Sequence, residues 1–433
     1  MTSSSVTGLD AARQQAAAVA EDRFGIDLYR RLGADQQNLV FSPASIAAAL
    51  QMALVGARGS TAAQLAAALR LGHGDPAGRA RDGLVLLSAA ISVGQGPAQG
   101  GQNAQTTRTA PGAQDPTLIL RAPSSLWVQA GLPLEPAFTG LLRDLAAAVV
   151  READFRGAPQ QARSAINELI SEQTAGKITN LLGRDAVTAS TRLVLANAVY
   201  LKAPWAFPFT DGATRDAPFH PEASGTGGAD KAGGGGEYGA DAAGQPAPIT
   251  VPMMHRTASL AYQKGDGYQA VLLPYKNSSL AMAIVLPDGP LSAFTAQLGE
   301  GSALNSLLSG AGRQSVALAL PKFRQRTSVG LIPVLRDLGV QDAFTDRADF
   351  SGITTAEQLL ISAVVHQAYI DVDEQGTEAA AATAIALRPM ALRREPDPIP
   401  LTVDRPFLFA ILDTATGLPL FLGQVTRPAP ATT

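Results

Sequence analysis

Few side chains in this sequence can move a proton near neutral pH. His73, His220, His255 and His366 are its only histidines, and cysteine is absent. Lack of cysteine excludes disulfides, thiolate metal sites and a cysteine nucleophile. No His-Glu-x-x-His zinc helix and no Gly-x-Ser-x-Gly elbow occurs. His73 lies in a Gly-His-Gly-Asp turn and reads as a solvated loop residue; His220 and His255 read as surface or edge-strand residues. His366 stands inside the apolar run Ser362 to Tyr369. There its imidazole must find partners, expected among nearby Ser and Asn side chains, and no carboxylate is placed to orient it as a base. The tract Gly233 to Gly236 lacks the Gly-Lys-Ser/Thr ending of a phosphate loop and follows no strand. The expectation is a protein that is not an enzyme and carries no metal and no cofactor.

A different chemistry, backbone pairing, is legible in Asp371 to Phe409. Gly376-Thr377-Glu378 is followed by four alanines, Ala379 to Ala382, and by Thr383. Alanine runs favour helix, yet this one lies between two β-like runs, Ile361 to Val372 and Pro406 to Leu412. With strand periodicity, Thr377, Ala379, Ala381, Thr383, Ile385 and Leu387 share one face, small at first and then apolar. Glu378, Ala380, Ala382, Ala384, Ala386 and Arg388 share the other, charged only at its ends. Such a segment is competent both as an exposed loop and as a half-buried strand.

The elements that must position it read as a large mixed α+β fold, helices early and strands late. Residues 9 to 33 have helical spacing in Phe24, Leu28 and Leu32, with Gly33 as a stop. Ser42 and Pro43 suit the N-cap and first turn of a helix running toward Gly56. A further helix is expected over Gln160 to Ala175, with Ala165, Leu169 and Ser171 flanking its apolar stripe. Thr191 to Leu201 is nearly continuously apolar, as in a central strand buried on both faces. Shorter strands are expected near 118–120, 125–128, 270–273, 280–286, 315–320, 401–403, 407–412 and 418–422. Residues 93–116 and the Gly-rich 223–247 read as flexible inserts.

With 46% hydrophobic and 16% charged residues among 433, the chain has ample core material for a globular protein. A net charge of −3 without a Lys/Arg cluster argues against nucleic acid as a partner. No apolar run is long enough to span a membrane. No signal peptide is visible after Met1, so the chain as written reads as cytoplasmic, or as exported if its N-terminus is processed.

Several segments together resemble one family. They are Asn38 to Ile46, Leu54 to Thr61, Gln173 to Ile178, Asn197 to Trp205, Val251 to Met254 and Leu320 to Phe323. The series continues with Asp349 to Gly352, His366-Gln367-Ala368, Glu374 to Thr383, Asp404 to Phe409 and Phe421 to Gly423. In number, order and spacing they resemble the serpins, from about residue 9 to about 428, with the two inserts outside the pattern.

The resemblance implies a single domain over 1–433, with about nine helices and three β-sheets, and a hinge and reactive loop over 374–405. It implies a suicide-substrate inhibitor of serine proteases, a monomer whose partner is a protease held as a covalent acyl-enzyme. The cut loop would then enter the central sheet as a new strand. The hinge residues would be Glu374, Gly376, Thr377, Ala379, Ala380, Ala381, Ala382 and Thr383. Gly376 would supply backbone freedom, and the small face beginning at Thr377 would enter the sheet. Ser42, Ser45, Asn197 and His366 match the polar cluster where strands part. Trp205 and Lys322 match the point where insertion begins, with Lys322 able to pair with Glu374. The family's spacing from hinge to cut, counted from Glu374, puts the bait bond at Met390–Ala391, suited to elastase-, chymotrypsin- or subtilisin-like proteases. Leu392, Arg393 and Arg394 remain alternatives, the arginines suiting trypsin- or kexin-like targets. A non-inhibitory binding or chaperone module is the other functional reading.

Overall fold

The computed structural model describes residues 8–33, 38–72, 74–93, 118–143, 145, 149–210, 212–222, 246–299, 303–378 and 397–428. The two expected inserts lie almost wholly outside the described residues, as do hinge positions Ala379 to Thr383 and the bait Met390–Ala391.

The chain begins with α1 (Ala11–Leu32), β1 (Leu39–Phe41), α2 (Pro43–Gly56), α3 (Gly59–Ala68) and α4 (Pro76–Val93). Next come β2 (Ile119–Arg121), β3 (Ser124–Gln129), α5 (Pro136–Leu142), β4 (Val149–Ala153), α6 (Pro159–Gln173) and β5 (Leu193–Pro204). The strands β6 (Arg215–Phe219), β7 (Ile249–Gly265), β8 (Tyr268–Pro274) and β9 (Leu280–Pro287) precede α7 (Leu291–Gln297). After it follow β10 (Gly312–Pro321), β11 (Phe323–Gly330), α8 (Ile332–Asp337) and β12 (Ile361–Val372). The last elements are β13 (Gly376–Thr377), β14 (Ile399–Thr402), β15 (Phe407–Asp413) and β16 (Leu418–Val425).

Local chemistry explains the best-read elements. The Ser42 side chain accepts from the Ser45 N–H with Pro43 in the first turn, and Gly33 ends α1 by donating to the Tyr29 carbonyl. Every residue of α2 is buried, which its apolar, alanine-rich composition permits on all sides. The spacing on α6 differs from expectation. Ala162, Ile166 and Ile170 are its buried apolar residues, whereas Leu169 is only partly buried.

Two sheets form. One has nine strands in the order β1-β16-β15-β9-β8-β7-β10-β14, with β6 also on β7. The long β7 joins its halves, since residues 249–262 pair with β6 and β10 whereas residues 261–265 pair with β8. Two of the three expected sheets are therefore continuous through one strand. His255 sits opposite Ala319 of β10 and is half-buried, in a stretch of β7 whose other side pairs with neither β6 nor β8. Among the described residues there are eight α-helices.

The other sheet runs β11-β12-β13-β5-β3-β4, with β2 continuing the β3 edge along β5. Its central strand shows why Thr191 to Leu201 is so apolar. Leu193, Leu195, Val199, Leu201 and Ala203 join the main core, which extends from α1 to β16. The alternate residues Val194, Ala196 and Ala198 join a second cluster with Ile166 and Ile170 of α6. A strand that is covered on both faces has no polar face to show.

Candidate functional site

Near their N-terminal ends β5 and β12 are parallel neighbours, from Leu193 opposite Ile361 to Tyr200 opposite Tyr369. Beyond that point they fork. The chain turns back after Val372 and places Gly376–Thr377 between them, antiparallel to both, with Thr377 opposite Val372 and Ala203. Asp373 builds the turn: its Oδ1 accepts the N–H groups of Gln375 at 2.8 Å and Gly376 at 3.1 Å.

Space governs the choice of Gly376. A Cβ there would overlap the Ala203 carbonyl oxygen and lie 2.8 Å from the Pro204 Cα. Its φ is not positive, and in this arrangement glycine is needed for its close approach to β5. Thr377 is fully buried, with its hydroxyl 2.6 Å from that of Tyr275. Glu378 faces the other way. Its carboxylate pairs with Lys177, just beyond α6, and Lys177 also lies 5.5 Å from the Tyr369 ring centroid. Glu378 is a non-glycine residue with φ of 50°, a left-handed geometry costing about 1–2 kcal/mol. Among the described residues this strand therefore pairs over Gly376 and Thr377 and turns out of strand geometry at Glu378.

The top of the fork is tied down by polar contacts. Lys322 Nζ is 2.7 Å from Glu374 Oε1, and the Thr214 hydroxyl donates to the same oxygen at 2.6 Å. Burial pushes the Glu374 carboxyl up, but the bonds from Lys322 and Thr214 outweigh it and hold the group below its ordinary value. Trp205 is buried and stacks on Tyr275 at a centroid distance of 4.7 Å. Its Nε1–H donates to the Asp373 carbonyl at 3.0 Å, and its backbone N–H donates to the Gln375 carbonyl at 2.9 Å. Trp205 therefore combines core packing with two bonds to the turn.

Below the fork lies a second polar group. His366 on β12 and Asn197 on β5 are directly opposite, and the imidazole Nδ1 contacts the Asn197 side-chain oxygen. The Ser42 N–H donates to His366 Nε2 at 3.0 Å, which assigns the proton to Nδ1. Ser45 Oγ lies 3.1 Å from Ser124 Oγ on β3. These side chains join the start of α2 to three strands of the sheet.

The structure brings the predicted residues into two groups, one at the top of the fork and one under it. Tyr275, Thr214, Lys177 and Ser124 were not singled out from sequence. Lys177 lay within the quoted segment Gln173 to Ile178, so a signal existed; the other three are recruited only by folding. Among the described residues no cluster of His, Cys, Asp or Glu is arranged to hold a metal, and no helix is long and apolar enough to cross a membrane.

Burial pushes the His366 imidazole down to about 3 from an ordinary 6.5. The unfolded chain takes up a proton below the ordinary value and the folded chain does not, so this contribution is whole above pH 6.5 and is lost as pH falls toward 3. His366→Gln is expected to be about 1–3 kcal/mol less stable near neutrality. Its denaturant-unfolding curves, taken across the acid range, should lack that acid-sensitive component.

Three comparisons bear on this geometry. The family model described as Serpin (serine protease inhibitor) matches residues 19–428. An uncharacterised serpin-like protein of Thermococcus kodakarensis is 36% identical over 410 residues, covering 94% of this chain and 85% of the relative. The leukocyte elastase inhibitor of Sus scrofa is 33% identical over 423 residues, covering 95% and 99%. The solved structure of cleaved Serpin 42Da aligns with a TM-score of 0.75 at 30% identity, over 96% of this chain and 100% of that one. Human thyroxine-binding globulin aligns with a TM-score of 0.74 at 26% identity, over 97% and 100%. Matches of this extent, on a chain whose central sheet forks around a two-residue strand, make it a member of the serpin family.

Proposed function

We propose that this chain is a suicide-substrate inhibitor of serine proteases, acting through insertion of its cleaved loop and not through any catalysis of its own. The observation that carries the proposal is Gly376–Thr377, which already pairs with β5 and β12 at the top of the fork. A protease that cuts the bait and is held as an acyl-enzyme frees the chain from Glu378 onward. That chain can then continue the ladder downward between the two strands. Each backbone hydrogen bond is worth about 0.5–1.5 kcal/mol net, so a dozen inserted residues release roughly 10 kcal/mol before packing is counted.

The residues around the fork have distinct roles in this reading. Glu374, held by Lys322 and Thr214, anchors the root of the loop, and Trp205 fixes the turn beside it. Thr377 leads the small face into the core, with Ala379, Ala381 and Thr383 following on that face. Glu378 and Lys177 hold the end of the Gly376–Thr377 strand. Lower down, the strands must separate across His366 and Asn197, with Ser42 and Ser45 beneath. At this level the groups joining the two strands are polar and neutral, so they can exchange partners as the strands part.

Met390–Ala391 is the proposed bait bond, with Leu392, Arg393 or Arg394 as alternative cut sites. A methionine before the cut suits elastase-like enzymes, and the name of the Sus scrofa relative, leukocyte elastase inhibitor, supports that choice. The likeness to thyroxine-binding globulin favours a second reading, a ligand carrier. Small, uncharged residues at the hinge argue for insertion and so for the first.

Incubation with elastase or subtilisin is expected to yield a complex that survives boiling in SDS, and mass spectrometry of the released peptide should place the cut after Met390. Cleaved chain without any complex would favour the carrier reading. Cleavage should also raise the melting temperature sharply. Thr377→Arg would push a charge toward buried Tyr275, a desolvation cost of several kcal/mol. The variant should still be cut but should form little complex, and full inhibition by it would sink the hinge assignment.

A further inference from the structure

Two buried side chains on neighbouring helices take no part in the fork. Glu21 on α1 and Gln51 on α2 are 2% and 1% exposed. Gln51 Nε2 donates to Glu21 Oε1 at 3.2 Å. The remaining oxygens, Glu21 Oε2 and Gln51 Oε1, both lack a partner among the described residues. Unpaired acceptors on two side chains already joined by a hydrogen bond become complementary once the carboxyl carries a proton, because its O–H donates and the amide oxygen accepts. Gly83 of α4 closes the site from a third side. A Cβ at that position would overlap Gln51 Nε2 and lie 2.7 Å from Glu21 Oε1.

Among the described residues no ion pair compensates an ionised Glu21, whose surroundings act on it through burial and the Gln51 bond. Neither α2 nor β16 carries a titratable side chain. On α4, Asp82 is held by Arg13, while Arg79 and Arg81 are exposed. On α1, Asp22 accepts from Leu304 and Asn305, Asp27 pairs with Arg70, and Arg23 is exposed.

We propose that Glu21 and Gln51 form a neutral carboxylic acid–amide pair, Glu21 Oε2–H donating to Gln51 Oε1, and that ionisation of Glu21 opens this pH-sensitive lock between α1 and α2. The lock bears on function through α2, whose first turn supplies the Ser42 and Ser45 contacts beneath the fork. Burial pushes the Glu21 carboxyl up to about 8, with the Gln51 bond opposing. The unfolded chain releases this proton near 4.5. The lock's contribution is therefore whole below about pH 4.5 and is lost progressively as pH rises to about 8.

Infrared difference spectra of the full chain against Glu21→Gln test the proposal. At about pH 6 the wild type should show a neutral carboxylic-acid absorption that the variant lacks and that fades by about pH 9. The melting temperature of the wild type relative to the variant should fall steadily from about pH 5 to 8 and then level off. Gly83→Ala, which forces the pair apart, should keep an acid absorption but shift its frequency, because the Glu21 O–H loses its amide acceptor. If Glu21→Gln does not fold, titration of the wild-type absorption decides alone. No acid absorption at about pH 6, or a melting difference that ignores pH, overturns the proposal.

Discussion

The whole arrangement depends on one unequal pairing, that of β5 with β12. They are hydrogen-bonded neighbours as far as Tyr200 and Tyr369, and beyond that they are kept apart by two residues of a third strand. Backbone donors and acceptors in a buried sheet must be paired. The upper ends of the two strands meet that demand only because Gly376 and Thr377 fill the gap. A longer insert could form more antiparallel bonds between the same strands, so the observed pairing is not the fullest this sheet can adopt.

What surrounds the gap is graded accordingly. At its mouth, charge and aromatic surface hold the Asp373–Glu378 segment: Lys322 with Glu374, Lys177 with Glu378, and Trp205 stacked on Tyr275. In the gap itself the inward side chain is uncharged and finds one hydroxyl partner. Beneath it, the seam is a neutral imidazole, an amide and serine hydroxyls. Neutral polar groups can exchange partners at modest cost, whereas an unpaired buried charge costs several kcal/mol. The distribution favours firm anchoring at the root and easier separation below.

Sequence patterns were legible where one rule dominated. Ser42 and Pro43 mark a helix start that only local geometry determines, and the apolar run of β5 follows from burial on two faces. They failed where rules competed. Gly78 and Gly83 obscure α4, although Gly83 is there to admit Glu21 and Gln51. The 17-residue β7 changes partners midway and mixes buried with half-exposed positions, so it shows no single period. On α6 the buried stripe lies on Ala162, Ile166 and Ile170, a registration set by packing against β5.

By itself the sequence determined the α+β class, the family and the small alternating face of the hinge. Each of these resides in residue type and order along the chain. Only the tertiary structure decided that Gly376 and Thr377 pair between β5 and β12, that Gly376 is required for want of space, and that Lys177, Thr214 and Tyr275 meet this segment. Those facts are distances between segments far apart in the chain. They arise from the simultaneous packing of α2, α6 and the two forked strands, which no local pattern encodes.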